Sequence, residues 1–174
     1  MFEKGCYVTY RSEGVCIVLD ICNQRFVGSD QEESYYILAP INDMKSTVFV
    51  PMNNETLVGY MRALLSADEL NTVLSEVRDE RIEWIPENRA RNAAFKQILS
   101  TGSRRDMIAL LNTLYDRLDY MKSIGKKVGT MDITLLSKAE RLFFEELSFT
   151  CEIKSQGDVR AVLRGEITLE PLKE

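Results

Sequence analysis

The chain of 174 residues contains no histidine. This absence excludes Ser-His-Asp and Cys-His activation of a nucleophile, imidazole metal ligands and the usual proton shuttle near neutral pH. The four cysteines form no Cys-x-x-Cys pair, so neither a zinc knuckle nor a thioredoxin-like redox site is indicated. We therefore expect a protein that is not an enzyme and that uses no cofactor and no metal.

Long apolar runs are also missing. No stretch approaches the ~20 apolar residues that cross a bilayer, and residues 1–5 lack the basic-then-apolar layout of a signal peptide. The sequence predicts a cytoplasmic protein without a membrane contact. Its composition, 45% hydrophobic and 28% charged, suits either one ordinary domain or two small ones.

Positive charge is scarce except in one block. The net charge is −5, yet residues 88–127 hold nine basic and three acidic side chains, whereas residues 1–60 hold four basic and eight acidic ones. The basic block is either the solvated face of a helix pair or a surface that contacts phosphates, since Lys and Arg supply sequence-independent affinity for DNA. The charge pattern alone leaves both interpretations open.

The N-terminal half follows a period of two. Short β-branched and aromatic runs at 7–10, 15–22, 35–38 and 47–50 are separated by turn residues at Gly14, 28–30 and 40–43. This pattern predicts four or five strands in a strongly bent sheet, and a small barrel fits it best. In the last run Val48 and Val50 share the inward face, which leaves Thr47 and Phe49 outward. An outward Phe is either a partner anchor or an exposed aromatic without a role.

The C-terminal half follows a period of 3.6. Ser66-Ala67-Asp68-Glu69 is a capping box that starts one helix, and Ser103 followed by Asp106 starts another. Further helices are predicted over residues 88–100, ending before Gly102, and 130–149. Apolar stripes on four such helices bury one another. The tail beyond Cys151 alternates weakly and is compatible with a strand, a short helix or loose chain.

Trp84, the only tryptophan, precedes the basic block in a loop-like stretch. It is either packed into the helical core by Ile82 and Ile85 or available as an apolar wedge for the minor groove of DNA.

Several of these residues together resemble the CarD family of bacterial transcription regulators. The N-terminal half carries Gly5-x-x-Val8-x-Tyr10-x-x-x-Gly14-Val15, then Tyr35-Tyr36-Ile37-Leu38, Val50-Pro51 and Val58-Gly59-Tyr60-Met61-Arg62. The C-terminal half carries Trp84, the turn Ser100-Thr101-Gly102 and the pattern Leu135-Leu136-x-x-Ala139-Glu140-x-Leu142-x-x-Glu145-Glu146-Leu147. The similarity covers residues 2–150.

The resemblance implies an α+β protein: a small Tudor-like or SH3-like β-barrel over residues 1–60, an all-α helical bundle over residues 61–152, and a tail of undefined structure over residues 153–174. It implies that the first domain binds the β subunit of RNA polymerase and that the second binds promoter DNA, without strong sequence specificity, near the upstream edge of the bubble. The expected effect is on open-complex stability, and a monomer is expected. The implied polymerase-binding residues are Gln24, Arg25, Lys45, Thr47, Phe49 and Pro51; the implied DNA-binding residues are Trp84, Arg89, Arg91, Lys96, Arg104 and Arg105. A protein-only adaptor, for example one linked to repair, is the alternative.

Overall fold

The structure, a computed structural model, describes residues 1–25, 32–101 and 103–173. It divides the chain into two compact units, Met1–Leu64 and Leu65–Glu174. The predicted turns at 28–30 and at Gly102 lie outside the described residues.

The first unit is an antiparallel sheet of five strands in the order β4-β3-β2-β1-β5. The strands are β1 (Tyr7–Tyr10), β2 (Gly14–Gln24), β3 (Glu33–Pro40), β4 (Val48–Pro51) and β5 (Met61–Ala63). A short α-helix, α1 (Glu55–Gly59), precedes β5, and the N-cap Asn54 accepts a hydrogen bond from the amide of Leu57. The sheet buries one face around the apolar side chains Val8, Tyr10, Cys16, Val18, Tyr36, Leu38, Val50 and Met61.

The predicted alternation in the last run is confirmed. Val50 is fully buried and Val48 packs against the same cluster, whereas 40% of Phe49 is exposed. The fold class α+β is also supported, but the predicted barrel is not closed: β4 and β5 form separate edges of an open sheet. Strands β4 and β5, of four and three residues, each have a partner on one side alone among the described strands.

The second unit is helical. It contains α2 (Ala67–Val77), α3 (Asn88–Thr101), α4 (Arg104–Ser123), α5 (Thr130–Thr150) and α6 (Val159–Leu163). The capping box is present, since the Ser66 hydroxyl accepts from the Glu69 amide and the Glu69 carboxylate accepts from the Ser66 amide at 2.8 Å. Ser103 caps α4 in the predicted way by accepting from the amide of Asp106.

The tail belongs to the helical unit. Val159, Val162, Leu163 and Leu169 are buried in the same core as Phe95 and Phe143, and the side chain of Asn71 hydrogen-bonds both backbone groups of Leu169. Two short strands, β6 (Cys151–Glu152) and β7 (Glu170–Pro171), pair with each other. The prediction of an all-α unit is therefore not fully met.

The unit boundary also differs from the predicted one between residues 60 and 61. Residues 61–63 form β5, which pairs with β1 and therefore belongs to the sheet. None of the described helices is long and apolar enough to cross a membrane.

Candidate functional sites

The residues predicted to bind a partner through the sheet lie at its β4 side and at one strand end. Phe49 and Pro51 are on β4, Lys45 and Thr47 are exposed in the segment that leads into it, and Gln24 is the last residue of β2. Arg25 is exposed directly after β2. The register aligns Pro51 with Tyr35 and Tyr35 with Cys22, so Gln24, Arg25 and Pro51 share one end of the sheet, whereas Lys45 and Thr47 lie towards the other.

Phe49 is held in an aromatic contact while it stays accessible. Its ring meets that of Tyr35 edge-on, with 6.4 Å between the centroids, and its register partner on β3 is Ile37. Aromatic contacts of this kind fix the ring without burying it. The result is an apolar, ordered side chain beside an edge strand, which is the kind of residue that dominates protein interfaces.

Trp84 lies between α2 and α3 and is half-buried. Its ring packs edge-on against the core residue Phe95 at 6.1 Å, and two guanidinium groups lie over it, Arg91 at 4.2 Å and Arg117 at 4.8 Å. Cation–π contacts of this sort are worth about 0.5–2 kcal/mol each. Trp84 is therefore part of the core packing and also a wall of the surface beside it.

That surface is a shallow apolar groove of about 350 Å³. Trp84, Arg117 and Tyr120 line it together with Arg81 and Asp116. Tyr120 is 55% exposed, and Arg117 lies over its ring at 5.4 Å. The residue-level prediction omitted Arg117 and Tyr120, although their i, i+3 spacing on a helix places them on one face.

Arg91 has a different role from the predicted phosphate contact. It is 5% exposed, and both oxygens of the Asp132 carboxylate accept from it at 3.0 Å. Its remaining donors reach the carbonyl oxygens of Ile85 and Pro86 and the side chain of Asn88. All five N–H groups are thus used inside the unit, and Arg91 fixes the Trp84 segment to α5 instead of facing DNA.

Arg104 and Arg105 are also engaged internally. Arg104 is largely buried and donates to the buried Glu146, so a phosphate does not reach it without breaking that pair. Arg105 is exposed and forms a two-point pair with Glu80. Arg104 and Arg105 therefore have little positive charge available for contacts with DNA.

Arg89 and Lys96 fit the prediction better. Both are exposed on α3, and neither side chain has a hydrogen bond or ion pair within the described residues. Lys126 and Lys127 are exposed in the segment before α5. A second pocket, of about 270 Å³, is lined by Asn88 and Val128, the sequence neighbours of Arg89 and Lys127.

Glu87 caps α3 although the capping pattern was not predicted there. Its carboxylate accepts from the amides of Arg89 at 2.9 Å and Ala90 at 2.5 Å. These two bonds hold the pKa of Glu87 below the ordinary value of 4.5. The charged form is thus favoured by folding.

A pH dependence follows from Glu87. A carboxylate whose pKa is lowered in the folded state stabilises the fold above its unfolded pKa, and this contribution is lost as the pH falls through the folded value. We expect the helical unit to lose stability below about pH 4.5, and Glu87→Gln to make this loss shallower. Urea unfolding followed by Trp84 fluorescence between about pH 6 and about pH 3 measures both profiles. Parallel profiles for the two proteins would contradict this assignment.

The comparisons with known proteins concern the first unit. Residues 2–64 match the family described as the CarD-like/TRCF RID domain. None of the curated proteins matches the chain. The matched residues coincide with the five-stranded sheet unit to within one residue at each end. The first unit is therefore a CarD-like RNA-polymerase-interacting domain, which implies an interaction with RNA polymerase.

Proposed function

We propose that the protein is a transcription regulator that docks on the β subunit of RNA polymerase through its sheet unit and holds promoter DNA through its helical unit. It acts near the upstream edge of the bubble and changes the stability of the open complex. The observation that carries the proposal is the match of residues 2–64 to the polymerase-interacting domain. The protein works there as a monomer in the bacterial cytoplasm and catalyses no reaction.

The polymerase half of the proposal rests on the β4 side of the sheet. An edge strand can extend a partner's sheet through main-chain hydrogen bonds, and β4 is such an edge. Phe49 on this strand supplies an apolar anchor, while Lys45 and Arg25 supply polar groups at the rim; Gln24, the last residue of β2, remains part of the proposed contact. An apolar centre with a polar rim is the usual composition of a protein interface.

The DNA half rests on a smaller set of residues than the sequence predicted. Arg89 and Lys96 are available for phosphates, with Lys126 and Lys127 as further exposed cations. Trp84 contributes the exposed part of its ring, which together with Tyr120 offers a surface for an unstacked base. The guanidinium groups of Arg91 and Arg117 hold that ring in place.

Weak DNA binding is sufficient in this arrangement. Docking on polymerase raises the effective concentration of the helical unit at the promoter, so the unit needs no sequence specificity. A preference for the open over the closed promoter shifts their ratio by the differential affinity alone, and ~1.4 kcal/mol changes it about tenfold.

The direct test is the lifetime of open complexes formed by purified polymerase, with and without the protein. We expect the wild type to change the lifetime and Trp84→Ala to remove most of that change. Trp84→Phe is the matched variant, because it keeps an aromatic contact with Phe95 and with the two guanidinium groups. An unchanged lifetime with the wild type would refute the mechanism; an unaffected Trp84→Ala would remove Trp84 from it.

Charge removal gives a second prediction. Arg89→Gln and Lys96→Gln are each expected to weaken binding to duplex DNA and to lower the slope of log affinity against log salt by about 0.9 per lost phosphate contact. Arg105→Gln is the control of equal charge change, since its guanidinium is already paired with Glu80. A salt titration by fluorescence anisotropy measures the slopes, and equal slopes for wild type and all three variants would contradict the proposed contacts.

A protein-only adaptor is the second candidate. The internal pairing of Arg91, Arg104 and Arg105 favours it, because half of the predicted DNA-binding residues serve the fold. The same titration separates the two candidates: an adaptor shows no salt-dependent DNA affinity.

A further inference from the structure

A third, more polar pocket lies on the helical unit; it shares Arg81 and Asp116 with the groove beside Trp84, and its other lining residues have no role in the function proposed above. Its volume is about 240 Å³, below the ~300–1,000 Å³ usual for organic ligands of drug size. Four arginines line it: Arg78 and Arg81 follow α2, Arg160 is on α6 and Arg164 directly follows α6. The pocket is therefore small, concave and built from segments about 80 residues apart in sequence.

One guanidinium group of the lining has no carboxylate partner within the described residues. Asp116 is paired with Arg81 at 2.6 Å. Asp119 pairs with both Arg160 and Arg164, and Glu166 lies 4.0 Å from Arg164. Arg78 is therefore the guanidinium group of the lining that remains available to an anion.

Asp119 and Tyr115 hold the arginines of the α6 segment in place. The carboxylate of Asp119 accepts from both Arg160 and Arg164, and the Arg160 guanidinium lies 4.8 Å over the ring of Tyr115. The Nε atom of Arg160 is buried and has no hydrogen-bond partner within the described residues. Folding thus fixes this guanidinium but leaves its hydrogen bonding incomplete, and such a donor has free energy to gain from an added acceptor.

The guanidinium group of Arg78 lies close to the backbone of Gly165. The side chain of Arg78 has no hydrogen bond within the described residues, yet its guanidinium lies against Gly165, where a Cβ atom would come within 2.5 Å of Nη2. Gly165 has a φ of +73° at the end of α6, which disfavours other residues. A glycine here therefore leaves space for an arginine that forms no internal pair.

We propose that this pocket binds a small phosphate-bearing anion, with Arg78 as its main charged contact and the Nε of Arg160 as a further donor. Guanidinium groups match phosphate oxygens in geometry as well as charge. A free or terminal phosphate suits the site better than the backbone of duplex DNA, because the pocket is small and concave. The site is a separate binding function of the helical unit and does not depend on the polymerase contact.

The test is a titration of the full-length protein with inorganic phosphate in a chloride buffer, followed by calorimetry. We expect one saturable site per chain, and Arg78→Gln weakens it about tenfold, the effect of removing a charged hydrogen-bond partner. The melting temperature of Arg78→Gln stays near that of the wild type, because its side chain forms no bond within the described residues. Lys138→Gln, an exposed change of the same charge on α5, leaves phosphate affinity unchanged.

Gly165→Ala keeps all four arginines and tests the geometry. Its Cβ displaces the Arg78 guanidinium, so phosphate affinity should fall as in Arg78→Gln, and the double variant should be no weaker than Arg78→Gln alone. Two results would overturn the proposal: no saturable phosphate binding by the wild type, or equal binding by wild type and Arg78→Gln. Duplex DNA affinity lowered by Arg78→Gln without any phosphate binding would assign the pocket to the DNA backbone, which also overturns it.

Discussion

Asp132→Ala is expected to destabilise the helical unit by about 3–5 kcal/mol, because it leaves the charge of Arg91 buried without its partner. Both residues are among the most buried charged groups of the chain, and two hydrogen bonds of 3.0 Å join them. Arg91 also holds the carbonyl oxygens of Ile85 and Pro86. Loss of Asp132 should therefore loosen the segment that carries Trp84.

Urea unfolding monitored by tryptophan fluorescence measures this effect on the correct unit, since Trp84 is the only tryptophan. Arg91→Met/Asp132→Leu provides the control, because it removes both charges and is expected to recover part of the lost stability. Asp116→Ala, which breaks the exposed pair with Arg81, should cost less than about 1 kcal/mol. Equal losses for Asp132→Ala and Asp116→Ala would contradict the role given to the buried pair.

Phe49→Ala is expected to weaken binding of the full chain to RNA polymerase by about 30-fold, the effect of a 2 kcal/mol hot-spot residue. The ring is 40% exposed and fixed by Tyr35, so it reaches a partner without first losing side-chain freedom. Because Val50 and not Phe49 fills the core, the substitution should leave the fold intact. Immobilised polymerase and a titration of the chain measure the affinity.

Tyr7→Ala is the matched control for this experiment. Tyr7 has nearly the same exposure as Phe49, and the register places it on the same face of the sheet, on β1. Three strand spacings, or ~14 Å, separate β1 from β4. A loss confined to Phe49→Ala places polymerase contact at the β4 side, whereas equal losses from both substitutions would refute that placement.

The local signals in the sequence predicted the elements well. The capping box at Ser66 and the cap at Ser103 mark the helix starts observed at α2 and α4, because capping depends on residues only three positions apart. The orientation of Phe49 was predictable for a similar reason, since strand alternation is a local property. The end of α5 at Thr150 is within one residue of the prediction.

The partners of charged residues were not predictable in this way. Arg91 and Asp132 are 41 residues apart, and nothing in a basic run distinguishes an arginine that is buried against a distant carboxylate from one that faces solvent. The same applies to Arg104, whose partner Glu146 lies on α5. A charge count over residues 88–127 therefore overstates the positive surface.

Closure of the sheet and the course of the tail also depend on tertiary structure. Alternation predicts strands but not whether the first and last of them meet, and here β4 and β5 remain separate edges. In the tail, Val159, Val162 and Leu163 have helical spacing over only five residues, too short a stretch for periodicity to decide. Their burial comes from contact with the helical core.

The sheet core and the helical core each enclose one cysteine, Cys16 at 0% and Cys151 at 1% exposure. Burial raises the pKa of the Cys151 thiol, which makes it still less reactive while the helical unit is folded. A thiol-modifying reagent therefore labels Cys16 only when the polymerase-interacting domain opens and Cys151 only when the helical unit opens. Mass spectrometry of peptides after timed labelling would give a separate opening rate for each unit without any substitution in the protein. The same labelling in the presence of polymerase would show which of the two units polymerase protects.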